Sequence, residues 1–186
     1  MSTAPLPTKN SLESEQSSLV EVCAEFAVEL SVDEAWEKLS DMSKADRYVP
    51  GLTSLEFSTE QREGVGASRR VVQGKSLVLD ETVIRWEEGC GYSLRLHRGS
   101  RGPIPPLQEH FFDYGLQQRG NSVYLHNRMR YRVGLGLLGV CLDKLVLRKV
   151  MLSQLRDVTL AQKLYYESGQ PVSAGQLKAA KASLGA

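Results

Sequence analysis

The sequence predicts an α+β domain in which a curved, seven-stranded antiparallel sheet wraps around one long C-terminal helix. Three observations predict it. Six strand-like runs follow one another with short turns between most of them, which favours antiparallel pairing. The long helical pattern comes after all the strands, so helices and strands are segregated along the chain. At 1.5 Å per residue that last pattern makes a rod of about 40 Å, long enough to cross a whole sheet.

The elements can be justified in order. Residues 1–18, MSTAPLPTKNSLESEQSS, are polar and free of aromatics and predict a disordered tail. Residues 19–168 carry the domain. The first strand, LVEVCAEFAVEL, sets Val20, Val22, Ala24, Phe26, Val28 and Leu30 on one face and Glu21, Glu25 and Glu29 on the other. Ser31 and Glu34 then form a capping box, opening a helix with Ala35, Trp36 and Leu39 on one side. Ser43 and Asp46 repeat the signal for a second short helix, which Pro50-Gly51 ends. Strand-like runs follow: LTSLEFST, GASRRVVQG, SLVLDETVIRWE, YSLRLHR, LQEHFFDYGLQQ and VYLHNRMRYRV. In the sixth strand, alternation groups Gln108, His110, Phe112 and Tyr114 against Leu107, Glu109, Phe111 and Asp113, and the first set is read as inward. A glycine-rich bend leads into a helix from about Val140 to Glu167. Its apolar stripe is Leu147, Val150, Met151, Gln154, Val158, Ala161 and Tyr165. Residues 169–186 are small and polar and predict a flexible tail, at most a weak helix.

Two residues break this pattern. Asn127 stands in the dry face of the last strand, among Val123, Leu125, Met129 and Tyr131, and Gln154 stands in the helix stripe. An unpaired buried amide costs roughly 1–3 kcal/mol. Either a neighbour such as Gln154 satisfies Asn127, or the space between sheet and helix is not fully packed.

Composition narrows the function. Lys plus Arg (23) nearly balance Asp plus Glu (22), for a net charge of +1, which argues against nucleic-acid binding. Cys23, Cys90 and Cys141 are scattered, and no CxxC or Cys/His cluster exists, so neither a structural metal nor a disulfide framework is expected. No cofactor is implied. The start lacks a basic, then apolar, secretory pattern, and a cytoplasmic protein is expected. GLGLLG, residues 134–139, matches GxGxxG, but no second strand follows to complete a dinucleotide-binding unit. Its glycines are read as a sharp turn into the helix.

Three stretches carry a resemblance: ELSVDEAWEKLSDMSKADRYVPGL, DETVIRWEEGCGYSLRL and VYLHNRMRYRVGLGLLG. In order and landmarks the chain resembles the START-related (SRPBCC) superfamily with its helix-grip fold, and within it the polyketide cyclase/dehydrase-like ligand-binding domains. Many relatives carry an aspartate where Asn127 stands, an aromatic like Tyr131, and a proline near Gly134 that this chain lacks. The resemblance implies a hydrophobic small-molecule ligand of lipid, polyketide or isoprenoid type, or, as the alternative, a cyclase or dehydratase using the same cavity. No catalytic signature carries over.

The expected ligand contacts are Asn127, Gln154, Tyr131, Tyr92, His110, Met129, Met151 and Val158, an apolar set with a few polar anchors. His110 is the candidate acid or base, set against its more common role as a satisfied pocket residue. Arg128, Arg130 and Arg132, with Arg95, form an outward stripe; such a stripe usually keeps a sheet face solvated, and peripheral contact with anionic lipid is the alternative. The loop HRGSRGPIPPL, residues 97–107, is expected to border the cavity mouth together with Pro50-Gly51.

Overall fold

The computed structural model describes residues 19–185; the expected N-terminal tail, residues 1–18, lies outside them. Strand β1 (Val20–Val28) alternates as its sequence requires, and Ser31 with Glu34 closes the capping box that starts α1 (Val32–Ser40). A 3₁₀ helix, Met42–Arg47, follows. Its cap is Asp41, whose carboxylate accepts from the Ser43 N–H, rather than Ser43 itself. Then come β2 (Leu52–Phe57), β3 (Ser68–Gln73), β4 (Leu77–Glu87), β5 (Gly91–His97), β6 (Leu107–Arg119) and β7 (Ser122–Val133).

The strands make one seven-stranded sheet in the order β1-β7-β6-β5-β4-β3-β2, with every neighbouring pair antiparallel. Register breaks at residues 52/54, 83/85 and 107/109 bend it. The bend is tight where Gly91 faces Gly115: a Cβ on Gly91 would lie 2.2 Å from the Tyr114 carbonyl oxygen. Within the coiled sheet, the end beneath α1 is filled by aromatics. Trp36 meets Trp86 at 5.3 Å, Trp86 stacks on Tyr92 at 5.4 Å, and Tyr92 reaches Tyr114 at 5.2 Å.

The expected single helix is helical from Gly136 to Ser168 but comes in three parts: α2 (Gly136–Leu142), one π turn (Asp143–Leu147) and α3 (Arg148–Ser168). Its buried stripe also differs from the expected one. Leu155, Thr159, Gln162 and Tyr166 face the sheet, while Val150 is exposed. The reason is chemical. Thr159 and Gln162 look polar to a hydropathy pattern, yet they are the partners of the Asn127 amide N–H₂, while Asn127 Oδ1 has no hydrogen-bond partner among the described residues. Asn127 Nδ2 donates to Gln162 Oε1 at 2.7 Å and to Thr159 Oγ1 at 3.1 Å. Gln162 Nε2 donates onward to Tyr166 Oη at 3.0 Å, and Thr159 Oγ1 donates to the Leu155 carbonyl at 2.7 Å. Asn127→Leu is therefore expected to destabilise the domain by about 1–3 kcal/mol, because it leaves the buried Gln162 Oε1 without its donor. Urea denaturation with an unchanged slope checks this; a loss under about 0.5 kcal/mol would contradict it.

Where a flexible C-terminal tail is expected, α4 (Ala174–Leu184) forms and docks. Ser173 and Gln176 cap it, Leu177 is buried, and Lys181 Nζ donates to Asp157 at 2.8 Å. Gly134 and Gly139 serve the turn into α2. A Cβ on Gly139 would fall 1.8 Å from the Gly134 carbonyl oxygen, so the GxGxxG glycines permit close packing, with no second strand after them among the described residues.

Candidate functional site

A cavity of about 290 Å³ lies between the concave sheet face and the first half of α3. Leu79, Leu96, Phe112 and Met129 rise from the sheet, and Leu147, Met151 and Val158 close it from the helix. Among its lining residues, Leu77, Pro105 and Gln154 are exposed and mark the mouth. Ile104, Pro105 and Pro106 belong to the loop expected there, and Val49 and Leu52 flank the Pro50-Gly51 turn.

The polar contents are few. His110 points inward with Phe112 and Tyr114, in keeping with the alternation of β6. Neither ring nitrogen of His110 has a hydrogen-bond partner among the described residues. Burial alone pushes its pKa down to about 4, so the ring is neutral at pH 7.

Arg69 is a second polar lining residue, and it is buried. In SRRVVQ, Arg70 points out to Asp80 at 2.8 Å while Arg69 points in beside Val71 and is 1% exposed. Its Nε donates to Glu81 Oε2 at 2.7 Å, and Nη1 donates to the Met42 carbonyl. Burial opposes the charge on Arg69, but the Glu81 carboxylate outweighs it and the guanidinium pKa rises. Tyr48, Tyr92 and Tyr114 stand close enough to Arg69 to interact with its charge. Burial pushes the Tyr48 hydroxyl up to about 12 and holds Tyr92 and Tyr114 well above the usual phenol range, so all three are neutral donors.

Of the expected contacts, His110, Met129, Met151, Gln154 and Val158 line the cavity, and Asn127, Tyr131 and Tyr92 do not. Asn127 is sealed against α3 by Thr159 and Gln162, so Gln154 is free to face the mouth. Tyr131 donates to Asp143 Oδ1 at 2.6 Å, fastening the π turn to β7. Tyr92 is spent in the aromatic run. Arg69 and Glu81 are not among the expected residues, although inward alternation in β3 and their antiparallel pairing make them legible as a couple. On the outer face Asp113 accepts from Arg128 at 3.0 Å and from Arg130 at 2.7 Å, and Glu109 accepts from Arg132 at 2.8 Å. That stripe is largely neutralised in place. The cysteines Cys23, Cys90 and Cys141 are free and exposed.

No protein-family model matches the chain, and no curated protein sequence does. Solved structures do. The di-domain ARO/CYC StfQ from the steffimycin biosynthetic pathway superposes with a TM-score of 0.65 at 16% identity, over 85% of this chain and 54% of that one. The chain thus spans about half of that di-domain protein. Major latex-like protein 151 from Panax ginseng gives 0.63 at 11% identity, over 80% and 98%. A norcoclaurine synthase point mutant from Thalictrum flavum, in complex with a transition-state analogue, gives 0.60 at 17% identity, over 81% and 97%. At these identities the likeness is one of architecture: the chain carries a helix-grip fold like theirs.

Proposed function

We propose that this chain binds and carries a hydrophobic small molecule of lipid, polyketide or isoprenoid type in the cavity between sheet and grip helix. The observation behind this reading is His110: a neutral ring with two unpartnered nitrogens in an apolar wall. Leaving such groups unpaired costs about 1–3 kcal/mol, and a ligand hydroxyl or carbonyl would remove that cost. Apolar surface buried at roughly 25 cal/mol per Å² supplies the remaining affinity. Among the lining residues the charged ones are Arg69 and Glu81, which neutralise each other. The favoured ligand is therefore neutral at its polar end, and Gln154 at the mouth is the second anchor. The three exposed free thiols suit a reducing compartment such as the cytoplasm.

Incubation with hydrophobic extract, followed by native mass spectrometry, is expected to show a retained neutral ligand. A long-chain alcohol or phenol should then outcompete the carboxylate of equal length. His110→Phe should weaken binding about fivefold to tenfold while leaving the empty protein at least as stable. No retained mass, or a preference for the carboxylate, defeats the reading.

The same neutral histidine could accept a proton, so an acid–base enzyme of cyclase or dehydratase type on the same ligand is the second reading. Turnover lost in a His110→Gln variant that still retains ligand would select it.

A further inference from the structure

The segment from Leu135 to Val150 faces two ways. Leu147 lines the cavity, as does Met151 just beyond. On the outside, Leu135, Leu138, Leu145, Val146 and Val150 are 65%, 76%, 71%, 49% and 43% exposed. Five aliphatic side chains left in water along one stretch mark a surface that something covers. Lys144, Arg148 and Lys149 are exposed on the same stretch. Its acid, Asp143, is buried and accepts from Tyr131 at 2.6 Å and from Arg148 at 3.1 Å. Among the described residues, residues 135–150 therefore expose aliphatic and cationic groups and no carboxylate.

We propose that this face docks on an anionic lipid bilayer, the leucines entering the acyl boundary and the lysines resting among the headgroups. Two features favour a bilayer over a protein partner. Protein interfaces centre on Trp, Tyr and Arg, and this face offers Leu and Val with its arginine held by Asp143. Its surface charge is of one sign, complementary to phosphate-bearing lipid. The arginine stripe on the sheet is a different surface, already paired with Asp113 and Glu109. Docking stands apart from the ligand reading; if both hold, the helix wall carrying Leu147 and Met151 sits at the lipid surface, where a hydrophobic ligand is dissolved.

The test is co-sedimentation of the full chain with phosphatidylcholine vesicles, with and without about 30% phosphatidylglycerol. Binding to the anionic vesicles, weakening as salt rises, is expected. Leu138→Ser with Leu145→Ser should reduce it about tenfold or more. Lys144→Glu with Lys149→Glu should reduce it about fivefold or more, and Arg95→Glu on the sheet should leave it unchanged. All the altered side chains are exposed, and unchanged thermal midpoints would show that folding is not the cause. No partitioning, or partitioning indifferent to the leucine substitutions, overturns the proposal. So does a concentration-dependent dimer, seen by sedimentation velocity, that the leucine substitutions abolish, because the face would then join two copies of the chain.

Discussion

Arg69→Met is expected to destabilise the domain by about 3–5 kcal/mol, the cost of removing one partner of a buried ion pair and stranding the other charge. Arg69 is 1% exposed, and its Nε and Nη1 are committed to Glu81 and the Met42 carbonyl. Removing the guanidinium leaves the Glu81 carboxylate, on the facing strand, without its partner. Replacing both residues, Arg69→Met with Glu81→Leu, should recover most of the loss, because two apolar side chains suit that wall. Equilibrium urea curves for the two single variants and the double variant measure the coupling. Additive losses would mean that the pair does not act as a unit.

Stability is also expected to fall as pH drops from about 6.5 to about 4, by on the order of 3 kcal/mol. The folded-state pKa of His110 is lowered to about 4 by burial. Above about pH 6.5 the ring is neutral both folded and unfolded, and pH has no leverage through it. Between the two values the unfolded chain takes up a proton that the folded chain refuses, so acid favours unfolding. Carboxylates add to the loss lower down. Arg119 and His126 hold Glu25 down to about 2, and the Arg130 and Arg128 guanidiniums outweigh burial to hold Asp113 below the usual range. His110→Phe should therefore flatten the curve between about pH 6 and 4.5 and leave the steeper fall below it. A wild-type curve already flat in that window would mean that His110 is not a buried neutral ring.

Much of the fold is legible in the sequence because alternation is a strong signal when one face is wet. β1 and β7 declare their inward sets, and Ser31 with Glu34 declares the helix between β1 and β2. The grip helix is legible as a helix but not in its rotation. Reading Gln154 inward assigns Asn127 the wrong partner, because Thr159 and Gln162 are buried for their hydrogen bonds and a hydropathy pattern scores them as solvent-facing. The π turn leaves no trace that spacing could reveal. Within the site, His110, Met129, Met151 and Val158 follow from alternation and helical period. Arg69 escapes notice because a charged residue between a glycine-rich turn and two valines reads as solvated, and its burial depends on a carboxylate twelve residues away. The helix Ala174–Leu184 reads from the sequence as a weak helix at most, because one leucine and small side chains give it little apolar face, yet they dock it once the Val172 N–H donates to the Arg47 carbonyl at 2.8 Å.

The two indoles have a practical consequence. Trp36 and Trp86 touch, each donates to Glu88, and neither borders the hollow beneath the helix. Intrinsic fluorescence is thus a local gauge of how α1 is seated, coloured by exchange of excitation between the pair. It follows unfolding from that end, while occupancy of the hollow has to be read by another signal.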